Sequence, residues 1–140
     1  MSAPEVRAFL TASPARTAKL ATVRADGRPH VAPVWYLVDD DGALVFNTGR
    51  STVKGRNLVR DGRAAICVDD DRPPFSFVMV EGAVEIIEEL AQVREWAARI
   101  GGRYMGEDRA EEYGARNGVA GELLVRLQPD HIHSAVDLAE

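Results

Sequence analysis

Apolar and polar positions alternate through most of the chain, and the breaks in that alternation mark the turns and helices. Residues 3–12 carry Val6, Phe9 and Leu10 on one face, the pattern of a short helix. Residues 17–24 read as a strand, and Ala25-Asp26-Gly27-Arg28 as a turn, because Asp-Gly accepts the positive φ of a tight hairpin. Residues 29–38 predict a second strand. Its prolines, Pro29 and Pro33, assign it to a strand start, a bulge or an edge, since proline cannot donate to a ladder. Asp39 to Gly42 predicts a hairpin turn and residues 43–48 a third strand. Residues 51–61 drop the alternation and predict a helix of about three turns, with Ser51 or Thr52 as N-cap and Gly55 against the grain. A buried strand over 63–69 and a loop over 70–74 follow. Residues 75–87 then predict a long strand with a bulge at Gly82. Val93, Trp96, Ala97, Ile100 and Tyr104 recur at helical spacing within a helix over 88–103, and a shorter helix is expected over 107–116. Residues 121–128 and 131–138 are the last predicted strands. Six or seven mostly antiparallel strands with inserted helices point to a mainly β, α+β fold, a small closed barrel.

Composition narrows the function classes. The 140 residues suit one domain, 1–140, and 46% hydrophobic with 28% charged residues is the balance of a globular protein. The single cysteine, Cys67, excludes an internal disulfide and any metal site needing several thiolates of one chain. No apolar run approaches the roughly 18 residues of a membrane span, and Glu5 and Arg7 interrupt the N-terminus where a signal peptide needs an apolar stretch. The expectation is a cytoplasmic protein. A net charge of −5 argues against nucleic acid and membrane surfaces as partners.

The positive charge is nevertheless local: Arg50, Lys54, Arg56, Arg60 and Arg63 fall close together. The segment from Asn47 and Thr48 to Asn57 leaves a strand, turns at Gly49, and opens a helix with Ser51 and Thr52 at its start. Exposed amides, hydroxyls and Lys54 would meet an anion there, and Lys54 and Asn57, three apart, would share a helix face. The alternative is a capped surface helix with solvated arginines. Other signals are weaker. There is no GxGxxG, P-loop or nucleophile elbow. His131 and His133 share one side of a strand but lack a third ligand, and His30 belongs to a hairpin. Cys67 reads as a buried inert thiol, and the triplets Asp39–Asp41 and Asp69–Asp71 as solvated turns without calcium-loop spacing. Thin side-chain chemistry beside an anion site suits an enzyme whose cofactor carries the reaction.

ATVRADGRPHVAPVWYLVDDDGALVFNT, KGRNLVRDGRAAICVDDD and FVMVEGAVEI, in that order, resemble the pyridoxamine 5′-phosphate oxidase-like split-barrel superfamily. More closely, they resemble its branch of small actinobacterial proteins that use the deazaflavin coenzyme F420. The resemblance implies a six-stranded antiparallel split β-barrel of the FMN-binding type, a homodimer with two cofactor sites at the interface. By position, Lys54, Arg56 and Asn57 would meet the cofactor tail and Ser51 and Thr52 its phosphate. Ala32, Pro33, Val34 and Trp35 would form the backbone wall for the ring, and Phe75, Ser76 and Phe77 the strand lent by the partner. The implied activity is hydride transfer from reduced F420 to an electron-poor small-molecule acceptor. Solvent is the first choice of proton source, and Tyr36, Tyr104 or Arg103 are the side-chain candidates. The helices from about 88 to 116 would roof the substrate, with Tyr104, Met105 and Tyr113 defining what fits. Two alternatives stand beside this: an FMN enzyme of pyridoxamine-phosphate-oxidase type, and a non-catalytic binder of a flavin, deazaflavin or tetrapyrrole.

Overall fold

The computed structural model describes all 140 residues. The first helix, α1 (Ala3–Leu10), starts with a capping box: Ser2 Oγ accepts from the Glu5 amide and the Glu5 carboxylate accepts from the Ser2 amide. Next come β1 (Ala18–Val23), β2 (Pro29–Val34), β3 (Leu37–Val38) and β4 (Leu44–Gly49). Helix α2 (Val53–Asp61) leads into β5 (Arg63–Asp70) and β6 (Ser76–Ile87). Helix α3 (Leu90–Met105), a single 3₁₀ turn and α4 (Ala110–Asn117) precede β7 (Glu122–Leu127) and β8 (His131–Ala135). Of the two N-cap candidates it is Thr52 that caps α2, its Oγ1 accepting from the Gly55 amide at 3.1 Å; Gly62, at φ 75°, closes the helix.

All strand pairs are antiparallel, in the order β2-β1-β5-β6-β7-β4-β3, with β8 added on β6. The six long strands from β2 to β4 make the split barrel, and two-residue β3 and lateral β8 bring the count to eight. Residues 29–38 are not one strand. The ladder stops after Val34 and resumes at Leu37, so the two halves pair at opposite ends of the sheet, on β1 and on β4. The barrel therefore closes through the Trp35-Tyr36 peptide segment rather than through a ladder. Period-2 alternation cannot reveal this, because Val34, Tyr36 and Val38 all still face inward.

Gly82 is not a bulge: its register with β5 runs without interruption from Arg63↔Ala83 through Ala64↔Gly82 to Asp70↔Ser76. It marks the corner where β6 leaves β5 and takes up β7 at Val84. A Cβ at 82 would lie 1.9 Å from the Gln128 carbonyl oxygen, so the close backbone approach demands glycine.

Seventeen buried residues fill the barrel, including Leu20, Phe46, Ile66, Val80 and Val125, with Val6 and Leu10 of α1 plugging one end. A second cluster, Val45 and Leu124 against Val93 and Trp96, seats α3 on the outside of β4 and β7. That is why β4 and β7 are apolar on both faces while β1 alternates. The aspartate triplets are solvated only in part: Asp40 and Asp71 stand exposed, and the other four are paired. Asp39 and Asp41 clamp Arg126 at 2.6 and 2.9 Å, Asp69 binds Lys19 at 2.8 Å, and Asp70 binds Arg16 and Arg72.

Candidate functional site

A cleft of about 430 Å³ opens where the end of β2, the end of β4, the start of α2 and the helices α3 and α4 meet. Pro33, Val34 and Trp35 form one wall, Asn47, Thr48 and Gly49 another, and Ala97, Ile100 and Asn117 the roof. Thr17, Lys54 and Glu122 complete it, the last two being its only charged side chains. The β2 wall is hydrogen-bonded only on its β1 side, so its other edge is open for backbone contacts.

Local folding sets each group. Thr48, nearly buried, holds the start of α2 through its Oγ1, 3.3 Å from Thr52 Oγ1, and Thr52 Oγ1 also donates to the Gly49 carbonyl at 2.7 Å. Gly49 and Gly55 pack backbone to backbone, since a Cβ at 55 would lie 2.1 Å from the Gly49 oxygen. Glycine in α2 is therefore a packing requirement, which helix propensity alone misreads. Trp35 stacks on Tyr104 of α3 (centroids 5.1 Å apart, planes 4° apart) and meets Tyr113 of α4 edge-on at 5.8 Å. These rings tie the β2–β3 kink to the roof. The side-chain Nδ2 of Asn47 is buried and has no hydrogen-bond partner. A buried unmet donor costs about 1–3 kcal/mol unless something accepts from it. On the cleft floor, burial pushes the Glu122 carboxyl up, and the Lys54 ammonium pulls it partly back.

Of the residues singled out from sequence, Pro33, Val34, Trp35, Asn47, Thr48 and Lys54 come together in this cleft. Thr52 braces its floor as the cap, while Ser51 stands exposed in the turn and Ala32 lies half-buried on β2 outside the lining. Lys54 and Asn57 do not share a ligand-facing side of α2. Asn57 is buried, its Nδ2 donating to Thr22 Oγ1 of β1 at 3.0 Å and its Oδ1 accepting from Arg60 at 3.3 Å. Arg56 and an edge of Asn57 line a neighbouring basin with Arg24, Arg28 and Arg60, apart from the cleft that Lys54 enters. Ser76 and Phe77 begin β6, Phe75 directly precedes it, and none of the three lines the cleft within one chain.

The side chains offered as proton sources are otherwise engaged. Tyr36 is fully buried and donates to the Leu10 carbonyl at 2.6 Å, and burial pushes its phenol up to about 12. Tyr104 donates to the Arg16 carbonyl at 2.7 Å and accepts from the Tyr36 amide. Arg103 donates to the carbonyls of Tyr36 and Leu10 at 2.7 and 2.9 Å. Nor do Tyr104, Met105 and Tyr113 line the cleft; the roof residues are Ala97, Ile100 and Asn117. Cys67 is half-buried with its thiol pushed up by burial, then by Asp69, as an inert thiol should be. Sequence reasoning missed Glu122 and Asn117. Their only signal is position: Glu122 is the charged first residue of β7, ahead of the apolar run Leu123-Leu124-Val125, and pairs with Gly49 across the ladder.

The sequence profile of the pyridoxamine 5′-phosphate oxidase family matches residues 2–134. The chain is 34% identical over 113 residues to the pyridoxine/pyridoxamine 5′-phosphate oxidase of Alkalilimnicola ehrlichii, an alignment covering 69% of this chain and 57% of that protein. The chain thus spans little more than half the length of that relative. Among solved structures, a conserved hypothetical protein of Mycobacterium tuberculosis superposes with a TM-score of 0.83 at 28% identity, over 100% of this chain and 89% of the other. A protein described as an F420 reductase superposes at 0.67 with 27% identity, over 84% and 89%. Its profile match and its barrel agree: this chain belongs to the pyridoxamine 5′-phosphate oxidase family and has a split-barrel fold.

Proposed function

We propose that the cleft holds the ring of a deazaflavin, coenzyme F420, and that the protein is a reductase passing hydride from it to an electron-poor small molecule. The observation that carries the reading is Asn47 Nδ2, a buried donor without a partner, in a cleft walled on one side by Val34 and Trp35 and bearing one cation, Lys54. A flat ring with carbonyl oxygens answers both the donor and the apolar wall, and its anionic tail answers Lys54. Similarity to the F420 reductase over most of both chains supports the deazaflavin.

When bound, F420 supplies a two-electron hydride. This chain's part is to orient and to exclude water. Pro33 to Trp35 would present an open backbone edge to the ring, and Asn47 would donate to it. Ala97 and Ile100 make the roof side apolar, which would keep water from the ring. With Tyr36, Tyr104 and Arg103 bound to backbone carbonyls, the accompanying proton comes from solvent. We further propose a homodimer in which Phe75, Ser76 and Phe77 of a second copy reach the site. The exposed Val31, Phe75, Ile132 and Val136 are surface that such pairing would cover.

The second reading is an FMN oxidase acting on a pyridoxal-type phosphate, favoured by the 34% identity to a pyridoxine/pyridoxamine 5′-phosphate oxidase. Fluorescence titration with oxidised F420 tests the choice. Micromolar binding that Lys54→Ala weakens by at least about tenfold is expected. A yellow protein purified with stoichiometric FMN would establish the second reading instead. Absence of binding to either at tens of micromolar would remove both.

A further inference from the structure

The cleft's charge balance bears on which anion it takes. Lys54 is matched by Glu122, so the lining is close to neutral, an odd arrangement for a site meant to hold a phosphate. Glu122 stands opposite Gly49 in the β4–β7 register, at the turn that leads into α2. A Cβ built at 49 would come within 3.2 Å of Glu122 Oε2 and 3.3 Å of the Thr52 methyl. The carboxylate therefore packs over the turn expected to receive the phosphate. No other element brings a charge to it: β2, α3 and α4 line the cleft with neutral side chains, and Arg50 of the turn is bonded to Glu88.

A phosphate monoester carries close to two negative charges at neutral pH, a phosphodiester one. Each added charge meets the same Glu122 carboxylate in a half-buried, poorly screened place. We propose that Glu122 selects the charge of the bound anion, admitting a singly charged phosphodiester and turning away a doubly charged phosphate monoester. The inference rests on the cleft being a flavin-type ring site. It names the feature by which the cleft would prefer the diester tail of a deazaflavin to the terminal phosphate of FMN. Burial favours the neutral carboxyl and Lys54 the ionised one, so the repulsion is fullest at alkaline pH and fades as Glu122 takes up a proton.

Riboflavin and FMN, which differ only in the phosphate, isolate the effect. Dissociation constants are measured by fluorescence at pH 8 for the wild type, Glu122→Gln and Glu122→Ala, with F420 as a third ligand. In the wild type, FMN should bind no more tightly than riboflavin. In both variants FMN should gain roughly tenfold while riboflavin stays put, and F420, with one charge there, should gain about the square root of that factor. The wild-type preference for FMN over riboflavin should also rise as pH falls toward 5.5, and that of the variants should not. Flavin binding with an FMN-to-riboflavin ratio unchanged by either substitution overturns this inference alone. Failure of every ring compound to bind overturns the ring site and this inference with it.

Discussion

Replacing Gly55 by alanine inside α2 should destabilise the protein, against the ordinary rule for helices. In an unobstructed helix Gly→Ala gains about 1 kcal/mol. Here the new Cβ would lie 2.1 Å from the Gly49 carbonyl oxygen, more than 1 Å inside contact, with rigid backbone on both sides. Helix α2 must therefore withdraw from the turn. Withdrawal breaks the Thr52 cap, in which Oγ1 accepts from the Gly55 amide at 3.1 Å and donates to Gly49 at 2.7 Å. Loss of a cap costs about 1 kcal/mol, and overpacking about 1–3 kcal/mol. After the propensity gain, the net loss is about 1–3 kcal/mol, or several degrees in Tm at roughly 3 °C per kcal/mol. Urea unfolding and thermal melts measure it. Val59→Ala, an exposed site on the same helix, is the control and should gain a few tenths of a kcal/mol at most. A Gly55→Ala protein as stable as the wild type, or more so, would refute the argument from close packing.

Asn57→Ala should cost about 1–3 kcal/mol in urea unfolding, because Thr22 Oγ1 loses its donor in a buried place, yet change ring-compound affinity less than threefold. A tenfold loss of affinity at unchanged stability would return Asn57 to the ligand site. The Arg126 bond holds Asp39 below the ordinary carboxylate value of 3.8, and the Ala43 amide, aided by Arg126, does the same for Asp41. The folded state thus binds these protons less readily, so the stabilisation is complete above pH 3.8 and lost as pH falls through the depressed values. Asp39→Asn should therefore lower Tm by a few degrees at pH 7 and by progressively less as pH falls below 3.8, and a shift independent of pH would contradict the clamp. Tyr36→Phe should cost only about 1 kcal/mol, because Arg103 still donates to the Leu10 oxygen that the phenol leaves. A loss several times larger would mean that Arg103 does not take over.

Short-range pattern was enough for the elements. Alternation, Asp-Gly turns and the Val93–Ile100 stripe locate nearly every strand and helix, because each is a local consequence of side-chain direction and turn geometry. Pro33, Val34, Trp35 and Lys54 were singled out through resemblance and Asn47 and Thr48 through the strand-to-helix segment, and the fold brings them into one cleft. Tertiary packing decided the rest. Lys54 and Asn57 look equivalent along a helix until α2 is laid on β1, where one faces the cleft and the other is buried against Thr22. Gly55 and Gly82 read as a weak helix and a bulge; both are glycine because a distant carbonyl, at Gly49 or Gln128, occupies the space of a side chain. Glu122 entered the site only because β7 pairs with β4, more than seventy residues earlier. Periodicity records which way a side chain points from its own backbone. It holds nothing about which other backbone lies opposite, and in this barrel that second fact places the carboxylate beside the lysine.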